Sequence, residues 1–328
     1  MALTLALAGD TMLGRKVAQR LRGLRAGEDP ASALFSPGLM ELTRAADLFV
    51  LNLECCISER GERWPDPQKP FFFRAPPLAV EALVGLGVDA VTLANNHALD
   101  YQVEALLDTC EHLEEAGIAH VGAGADLAAA RAPAVLTARD FRVGIVGFTD
   151  HPADYAAGPG RPGVAHVGLD ADLPAWLPNT IAGLEVDLVV VSPHWGPNMT
   201  TEPLPHVGRA AEALAAAGVG LIAGHSAHSF HGVALHTSAP ILFDLGDFVD
   251  DYAVDPVARN DLGLLWLVTI SDDGPERLEA VPLALDYCRT RLATDAEAST
   301  IGELFERRCR VLGTEVASDG DRLVVSLR

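Results

Sequence analysis

The stretch Thr4-Leu-Ala-Leu-Ala-Gly-Asp10 is a short apolar run that ends in a carboxylate. Four later runs follow the same plan, because each leads into polar side chains of the kinds that bind metals. They are Leu48–Leu51 before Asn52-Leu53-Glu54, Val88–Ala94 before Asn95-Asn96-His97, Leu188–Val191 before His194-Trp195-Gly196, and Val219–Ala223 before Gly224-His225-Ser226-Ala227-His228. Short runs rich in Val, Ile and Leu predict buried strands.

The five strand ends predict one shared site. In open α/β sheets, sites collect beyond the carboxyl ends of the strands. Each segment also has an ordinary explanation on its own: Gly9-Asp10 as a turn, Glu54 as a helix-start carboxylate, and Asn95-Asn96-His97 with Asp100 as a capped turn. The combination of carboxylate, amide and imidazole at five separate ends favours a metal-dependent hydrolase instead.

Composition narrows the class of protein. The chain has 328 residues, 49% hydrophobic and 21% charged, which is typical of a globular protein. Its formal net charge of −21 disfavours nucleic acid and anionic membranes as partners, although it permits an anionic substrate. No apolar stretch of about 18 residues is present, so we expect no membrane span. Because the strand ends extend from Asp10 to His228, we expect a single domain over residues 1–328, with 255–328 as its C-terminal strand and helix part.

The cysteines and the N-terminus favour a cytoplasmic protein. The five cysteines are odd in number and form no Cys-x-x-Cys pair, which predicts reduced thiols. The first ten residues lack the basic region and cleavage spacing of a signal peptide. Cys55 directly follows Glu54, but a small buried residue is the favoured interpretation.

Periodicity predicts alternating strands and helices in the first part and more strands in the second. Helical spacing covers Gly14–Leu24, Leu39–Ala46, Leu78–Leu86, Gln102–Ala116, Leu204–Ala217 and Thr300–Val311. Further strands are predicted at Phe141–Phe148, Ala239–Leu245, Leu262–Ser271, Arg277–Pro282 and Arg322–Leu327. Residues 65–77, rich in Pro and containing Phe71-Phe72-Phe73, predict an ordered loop that closes over something. Together these elements indicate two packed sheets with helices outside.

The residue types indicate the metal. The candidate ligands are Asp10, Glu54, Asn96, His194, His225 and His228. Carboxylate, amide and imidazole without thiolate suit Mn, Fe or Zn. Six ligands exceed one metal's usual protein share, so we predict two divalent transition metals about 3.5–4 Å apart. His97 is a candidate catalytic group whose ring Asp100 could orient. Roles for His151 and His231 stay open.

At these residues the chain resembles the CapA family, named for a poly-γ-glutamate capsule protein, in the metallophosphatase-like (calcineurin-like) superfamily. The matching segments run in the family's order from about residue 3 to 270. They are Gly9-Asp-Thr-Met-Leu-Gly-Arg15, Asn52-Leu-Glu54, Ala94-Asn-Asn-His-Ala-Leu-Asp-Tyr101, Pro193-His-Trp-Gly196, Gly224-His-Ser-Ala-His228 and Leu245-Gly-Asp-Phe-Val249, the last with Asp where the family has Asn.

The resemblance implies a four-layer α/β/β/α sandwich of two mixed sheets with a dinuclear centre. It implies that Asp10 and His228 bind one metal and that Asn96, His194 and His225 bind the other. Glu54 takes the place of the bridging carboxylate, and His97 matches the histidine that acts on the leaving group.

Three departures separate the chain from the phosphoesterase pattern. Met12 stands where the pattern has a histidine two residues after the first aspartate. The bridging position holds Glu54 instead of aspartate, and two residues instead of one separate His225 from His228. Each departure weakens the case for phosphoester hydrolysis without removing the metal site.

The favoured function is therefore a soluble dinuclear hydrolase that uses a metal-bound hydroxide on an ester-type bond of a small molecule. The missing histidine and the aromatic run Phe71–Phe73 favour an acyl ester or thioester. A phosphoesterase is one alternative. The other is a non-catalytic or assembly role in poly-γ-glutamate capsule synthesis. Membrane-anchored capsule members carry an N-terminal anchor, and we expect none here, which counts against capsule assembly. Oligomeric state is not predicted.

Overall fold

The computed structural model describes residues 2–236 and 239–327, so the ends of the predicted domain, Met1 and Arg328, lie outside the described residues. Its strands are β1 (Leu3–Thr11), β2 (Leu48–Leu53), β3 (Cys56–Ile57), β4 (Arg74–Ala75), β5 (Ala90–Thr92), β6 (Ala119–Val121), β7 (Ala123–Gly124), β8 (Ala134–Ala138), β9 (Phe141–Thr149), β10 (Gly163–Val164), β11 (Leu188–His194), β12 (Leu221–Ala223), β13 (Val233–Leu235), β14 (Pro240–Leu242), β15 (Asp247–Val249), β16 (Leu262–Ser271), β17 (Gly274–Asp286), β18 (Arg289–Leu292), β19 (Ala317–Asp319) and β20 (Arg322–Ser326).

Helices occupy the connections between these strands. They are α1 (Arg15–Arg22), α2 (Pro30–Leu34), α3 (Pro37–Ala45), α4 (Leu78–Leu86), α5 (Gln102–Glu115), α6 (Leu127–Arg131), α7 (Trp176–Ala182), α8 (Pro205–Ala216) and α9 (Asp295–Val311), with a 3₁₀ turn at Ala153–Tyr155.

The larger sheet has the strand order β19-β20-β17-β16-β1-β2-β5-β6, with β15 paired to β1 and β18 to β17. The strands β1, β2, β5 and β6 run parallel, whereas β16, β17 and β20 extend the sheet in antiparallel fashion. The smaller sheet has the order β13-β14-β12-β11-β9-β8, parallel from β14 to β9. Strands from beyond residue 255 thus complete the sheet that β1 begins.

Alternating side chains of β1 show how the layers form. Leu3, Leu5 and Leu7 belong to the core between the two sheets, where they meet Val143 and Ile145 of β9. The side chains on the opposite face of β1 pack in a second core with α1–α5. A strand buried on both faces needs the continuous apolar run that the sequence shows.

Helices α6, α7 and α8 cover the outer face of the smaller sheet in a third core. The order of layers is therefore helices, larger sheet, smaller sheet, helices, which confirms the predicted four-layer α/β/β/α sandwich. Helix α9 packs its Phe305 against Trp266 of β16, with ring centroids 5.5 Å apart, so it joins the core between the sheets.

The predicted elements differ from the observed ones mainly at their ends. The strand predicted at Val88–Ala94 is shorter, Ala90–Thr92, because the chain turns after it, with Asn95 N donating to Leu93 O. The strand predicted at Arg277–Pro282 extends over Gly274–Asp286 because β16 pairs along its length. Several short elements were not predicted, among them β6, β8 and α7, since segments of this length carry little periodicity.

Candidate metal centre

The carboxyl ends of five parallel strands from the two sheets meet at one edge of the sandwich. β1 ends at Asp10 and Thr11, Glu54 follows β2, and Asn96 and His97 follow β5. In the smaller sheet His194 ends β11 and His225 follows β12, and an isolated bridge joins these two residues. The structure thus brings together the side chains that the sequence predicted at separate strand ends.

The group that we call the Asp/His cluster is almost fully buried, with each member at most 2% exposed. Its members are Asp10, Glu54, His194, His225, His228 and Asp247. Asn96, also a predicted ligand, is half-buried at its edge. Buried ionisable groups at this density require a compensating partner, either another charge or a metal.

Ligand atoms in the Asp/His cluster converge on two points. Asp10, His194 and His225 form one group, and Asp10, His228 and Asp247 form another, with the ligand atoms in each group within 4.8 Å of one another. Asp10 is common to both. Glu54 Oε1 lies 4.0 Å from His194 Nε2, and Glu54 Oε2 lies 4.0 Å from His228 Nδ1. The carboxylates of Asp10 and Glu54 therefore lie between the group that contains His194 and His225 and the group that contains His228.

Several buried atoms that could bind a metal lack hydrogen-bond partners among the described residues. They are both carboxylate oxygens of Glu54, Asn96 Oδ1, His194 Nε2, His228 Nε2 and Asp247 Oδ2. An unsatisfied buried acceptor costs about 1–3 kcal/mol. Five of these six atoms belong to the Asp/His cluster, and oxygen and nitrogen donors of this kind fit a centre that holds metal cations.

The backbone at Gly9 explains how Asp10 enters this space. Asp10 N donates to Gly246 O at 2.9 Å, and a Cβ on Gly9 would lie 1.9 Å from that same oxygen. Only glycine permits this close approach of the two segments. The Asn52 amide then donates to Asp10 Oδ1 at 2.7 Å, which fixes the carboxylate.

Asp247 was not among the predicted ligands. Strand β15 pairs parallel to β1 with Asp247 directly opposite Asp10, so strand register delivers its carboxylate to the cluster. Asp247 Oδ1 lies 2.8 Å from His228 Nδ1. The signal in the sequence was the replacement of the family's Asn by Asp in Leu245–Val249.

The loop between β12 and β13 carries His225 and His228. Asp244 Oδ2 accepts from Ala227 N at 2.7 Å, and Ser226 N donates to Asp10 Oδ2 at 3.3 Å. His228 adopts a positive φ of 57°. Because these contacts fix the backbone between the two histidines, both rings face the carboxylates of the cluster.

Burial and mutual charge shift the pKa values of the carboxylates in the cluster. Burial and the Asp10 charge raise the pKa of Glu54 well above its usual value. Burial raises the pKa of Asp247 in the same way, against the opposing charge of His228. Burial opposes ionisation of Asp10, but its hydrogen bond to His228 and the charges of His228 and His225 lower its pKa overall. Crowded buried carboxylates of this kind favour a bound cation.

The pKa values of the three histidines in the cluster shift in different directions, depending on their surroundings. Burial lowers the pKa of His225 to about 4. Burial and then the neighbouring His225 lower the pKa of His194 well below its usual value. For His228 burial acts in the same direction, but the charges of Asp247, Tyr252 and Glu54 raise its pKa. These shifts favour the neutral form of the His194 and His225 rings, which is the form that binds metals.

His97 and Asp100 form a pair beside the cluster. His97 Nδ1 lies 2.6 Å from Asp100 Oδ2, and His97 Nε2 lies 3.8 Å from Glu54 Oε1. The Phe73 ring packs edge-on against His97 with centroids 4.4 Å apart. Burial lowers the pKa of His97, and Asp100 opposes that shift. His97 thus faces the site with a ring orientation that the carboxylate sets.

Lys69, which sequence analysis did not select, completes this pair. Its Nζ lies 3.0 Å from Asp100 Oδ1 and donates to Asn96 O at 2.8 Å. Phe73 N donates to Asp100 Oδ2 at 2.6 Å. The loop of residues 65–77, which was predicted to close over another part of the chain, therefore covers His97 and Asp100. No motif surrounds Lys69, so no pattern in the sequence pointed to it.

His151, His231 and Cys55, to which the sequence assigned no role, lie in three different places. The His151 ring lies 5.2 Å from that of His194, and its Nδ1 contacts Asp150 Oδ1, so it borders the cluster. His231 lies apart, with Nε2 3.0 Å from Thr200 O. Cys55 is buried, and burial raises the pKa of its thiol to about 12, which makes it an apolar residue here. All five cysteines, which lie within the described residues, are free.

Comparison with known proteins places the chain in a family. The model of the bacterial capsule synthesis protein PGA_cap matches residues 4–252. The chain belongs to that family. This confirms the resemblance to CapA proteins, and every member of the Asp/His cluster lies within the matched residues.

Named relatives agree with this assignment. A probable polyglutamine synthesis accessory protein of Mycobacterium tuberculosis is 35% identical over 298 residues, which cover 85% of this chain and 77% of the relative. The capsule biosynthesis protein CapA of Bacillus anthracis is 28% identical over 298 residues, 90% of this chain and 70% of the relative.

Among solved structures, a putative 5'-nucleotidase of Staphylococcus aureus superposes with a TM-score of 0.47 and 13% identity over 93% of this chain and 58% of that one. A 5'-nucleotidase of Candida albicans gives 0.46 and 11%, over 95% and 58%. Within the described residues no helix has the length and apolar character needed to cross a membrane.

Proposed function

We propose that this protein is a metal-dependent hydrolase of an ester-type bond. The single observation that carries the proposal is the buried Asp/His cluster, with its unpartnered carboxylate, amide and imidazole atoms, beside the oriented His97. A buried set of this kind is costly for the fold unless it binds cations. Its position at the carboxyl ends of parallel strands is where α/β proteins place their active sites.

Two divalent transition metals fit the ligand set. Asp10, His194 and His225 would hold one, and Asp10, His228 and Asp247 the other, with Glu54 between them and Asn96 at the open side. When bound, such a pair of metals would lower the pKa of water and polarise the oxygen of the electrophile. Asp247 is thus added to the ligands predicted from the sequence.

His97 would supply the proton. Its Nδ1 is held by Asp100, which leaves Nε2 directed toward the cluster, 3.8 Å from Glu54 Oε1. Asp100 also accepts from Phe73 N and pairs with Lys69, so its carboxylate cannot swing away from the ring. Because Asp100 accepts the Nδ1 proton, Nε2 of the neutral ring would first take a proton from the attacking water and then pass it to the leaving group, and this transfer would be the catalytic contribution of His97.

The open side of the centre favours an acyl ester or thioester over a phosphoester. A cleft of about 510 Å³ there is lined by Asn96, Asp150, His151, Gly196, Pro197, Asn198 and His206. This lining contains no Lys or Arg and includes one carboxylate. A phosphate dianion would find no Lys or Arg here and would depend on the metals for its charge balance, whereas a neutral acyl group needs no such balance. The lining of the cleft therefore supports an acyl ester or thioester as the substrate, as the sequence suggested.

A second candidate function is an accessory role in making an acidic capsule polymer. It is favoured by the names of the relatives, which concern capsule biosynthesis and polyglutamine synthesis. A phosphoesterase is a third candidate. The three candidates differ in what the purified protein does to a substrate.

The test is a panel of thioesters, acyl esters, phosphoesters and γ-glutamyl amides, assayed with protein reconstituted with Mn, Fe or Zn. We expect turnover of an acyl ester or thioester that is lost in Asp10→Asn. Turnover of phosphoesters alone would replace the acyl proposal with the phosphoesterase. Absence of turnover on every substrate with fully metal-loaded protein would favour the accessory role.

A further inference from the structure

A cleft lined by basic side chains lies on the other side of Phe73 from the Asp/His cluster. This basic cleft has a volume of about 380 Å³. Its lining residues include Arg15, Lys16, Arg22, Arg63 and Arg74 against a single acid, Asp251. Five of the chain's 24 basic residues thus converge in a protein that has 45 acidic ones.

Internal ion pairs do not neutralise the basic cleft. Arg15 pairs with Asp251 at 3.2 Å, and Arg22 pairs with exposed Glu59 at 3.3 Å. Within the described parts of the chain, no carboxylate pairs with Lys16, Arg63 or Arg74. Mutual repulsion among like charges opposes such a grouping, and a bound anion would relieve that repulsion.

Stacking on aromatic rings holds two of the guanidinium groups in place. The Arg74 guanidinium carbon lies 3.9 Å from the centroid of the Tyr101 ring, and that of Arg63 lies 5.1 Å from the Phe72 centroid. Arg74 Nη1 also donates to Arg60 O at 3.0 Å. Guanidinium groups fixed in this way lose little entropy when they bind an anion.

Arg15 gives the basic cleft a further free donor. Its Nη1 is buried and, among the described residues, has no hydrogen-bond partner. The guanidinium lies 5.5 Å from the Phe73 ring and 6.0 Å from the Tyr252 ring. Those two rings in turn contact His97 and His228, at 4.4 and 5.1 Å. An aromatic wall therefore separates the basic cleft from the candidate metal centre.

We propose that the basic cleft binds a ligand with two or more anionic groups, either carboxylates or phosphates. With Arg15 and Arg22 paired to acids, three cations of the cleft remain, and they need more than one negative charge to balance them. The guanidinium groups offer paired N–H donors that match either anion. This site does not depend on the proposed hydrolase, because none of its cations belongs to the metal centre.

Binding of labelled peptides to the full-length protein tests the proposal. The carboxylate probe is fluorescein-labelled hexaglutamate, the phosphate probe is a labelled peptide with two phosphoserines, and hexaglutamine is the neutral control. Fluorescence anisotropy at 50 mM NaCl should show binding of an anionic probe and none of hexaglutamine. The anionic probe that binds more tightly shows whether the cleft prefers carboxylates or phosphates. Binding should weaken as salt is raised, because exposed charges are screened.

A double variant, Lys16→Gln with Arg63→Gln, locates the binding. Both side chains are exposed, so the fold should tolerate the change. Two lost ion pairs should weaken binding about tenfold. The matched control is Arg25→Gln with Arg310→Gln, which removes the same charge from exposed positions outside the cleft. Equal weakening in both double variants, or no binding of either anionic probe to the unmodified protein, would overturn the proposal.

Discussion

Asp100 Oδ2 lies 2.6 Å from His97 Nδ1, and the same oxygen accepts from Phe73 N at 2.6 Å. The carboxylate therefore sets the orientation of the ring and the position of the loop that covers it. Lys69 reaches the other carboxylate oxygen from that loop. One buried acid thus couples the candidate proton donor to the segment that shields it from solvent.

His97→Ala should keep its metals and lose turnover by roughly 10²–10⁴, the usual effect of removing a positioned acid or base. The loss should be at the small end for a good leaving group such as a thiolate, which needs little protonation. Steady-state kinetics on substrates of graded leaving-group pKa, with metal content measured alongside, will check this. Full activity in the metal-loaded variant would remove His97 from the mechanism, and loss of metal would make it a ligand.

The purified protein should contain close to two transition metals per chain when prepared without chelators, because the ligands converge on two points that share Asp10. Elemental analysis measures the count. Thermal unfolding should occur at a lower temperature after chelation and recover when Mn, Fe or Zn is added, since a ligand of the native state stabilises it. A metal-free preparation that gains no stability from any of these ions would contradict the metal centre.

His225→Ala and Asp247→Ala should each reduce the metal content by about one ion per chain, because they belong to different ligand groups. Asp10→Ala should lose both, since Asp10 belongs to each group. Elemental analysis of the three variants against unmodified protein gives the result. Asp244→Asn is the control and should keep both metals. Asp244 accepts from Ala227 N and Gly246 N and belongs to neither ligand group. If Asp247→Ala retained both metals, Asp247 would only orient His228.

Helix α9 begins with a capping box in which Thr294 and Glu297 satisfy each other's backbone N–H groups. Thr294→Ala should cost about 1 kcal/mol of the free energy of unfolding. Glu297 also bonds both terminal nitrogens of Arg291, at 2.7 and 2.8 Å, and chiefly this contact lowers the pKa of Glu297 to about 2.

The lowered pKa of Glu297 gives a pH dependence with a definite sign. Its stabilisation is fully present above the unfolded pKa of about 4.5 and is lost as pH falls toward 2. Glu297→Gln keeps a cap but loses the ion pair, so it should be slightly less stable than unmodified protein at pH 7 and more nearly equal near pH 3.5. Urea unfolding at both pH values measures the difference, with exposed Glu303→Gln as the control. A difference that stays constant with pH would contradict the assignment.

The strands that build the centre, and the side chains at their ends, can be predicted from the amino-acid pattern alone. Continuous apolar runs must be buried on both faces, and the parallel strands they form end at one edge of a sheet. Asp10, Glu54, His194 and His225 could be selected because each directly follows such a run. An apolar run and the polar residues after it are close together in the chain, so both can be recognised from the sequence.

Which distant residues join these side chains depends on how the chain packs in three dimensions. Asp247 reaches the cluster because β15 pairs with β1 in the register that places it opposite Asp10. Lys69 meets Asp100 through a loop without periodicity, and the cations of the basic cleft come from α1 and from residues 63–74. Strand register and loop path are set by long-range packing, and local sequence does not encode which side of a loop faces a site.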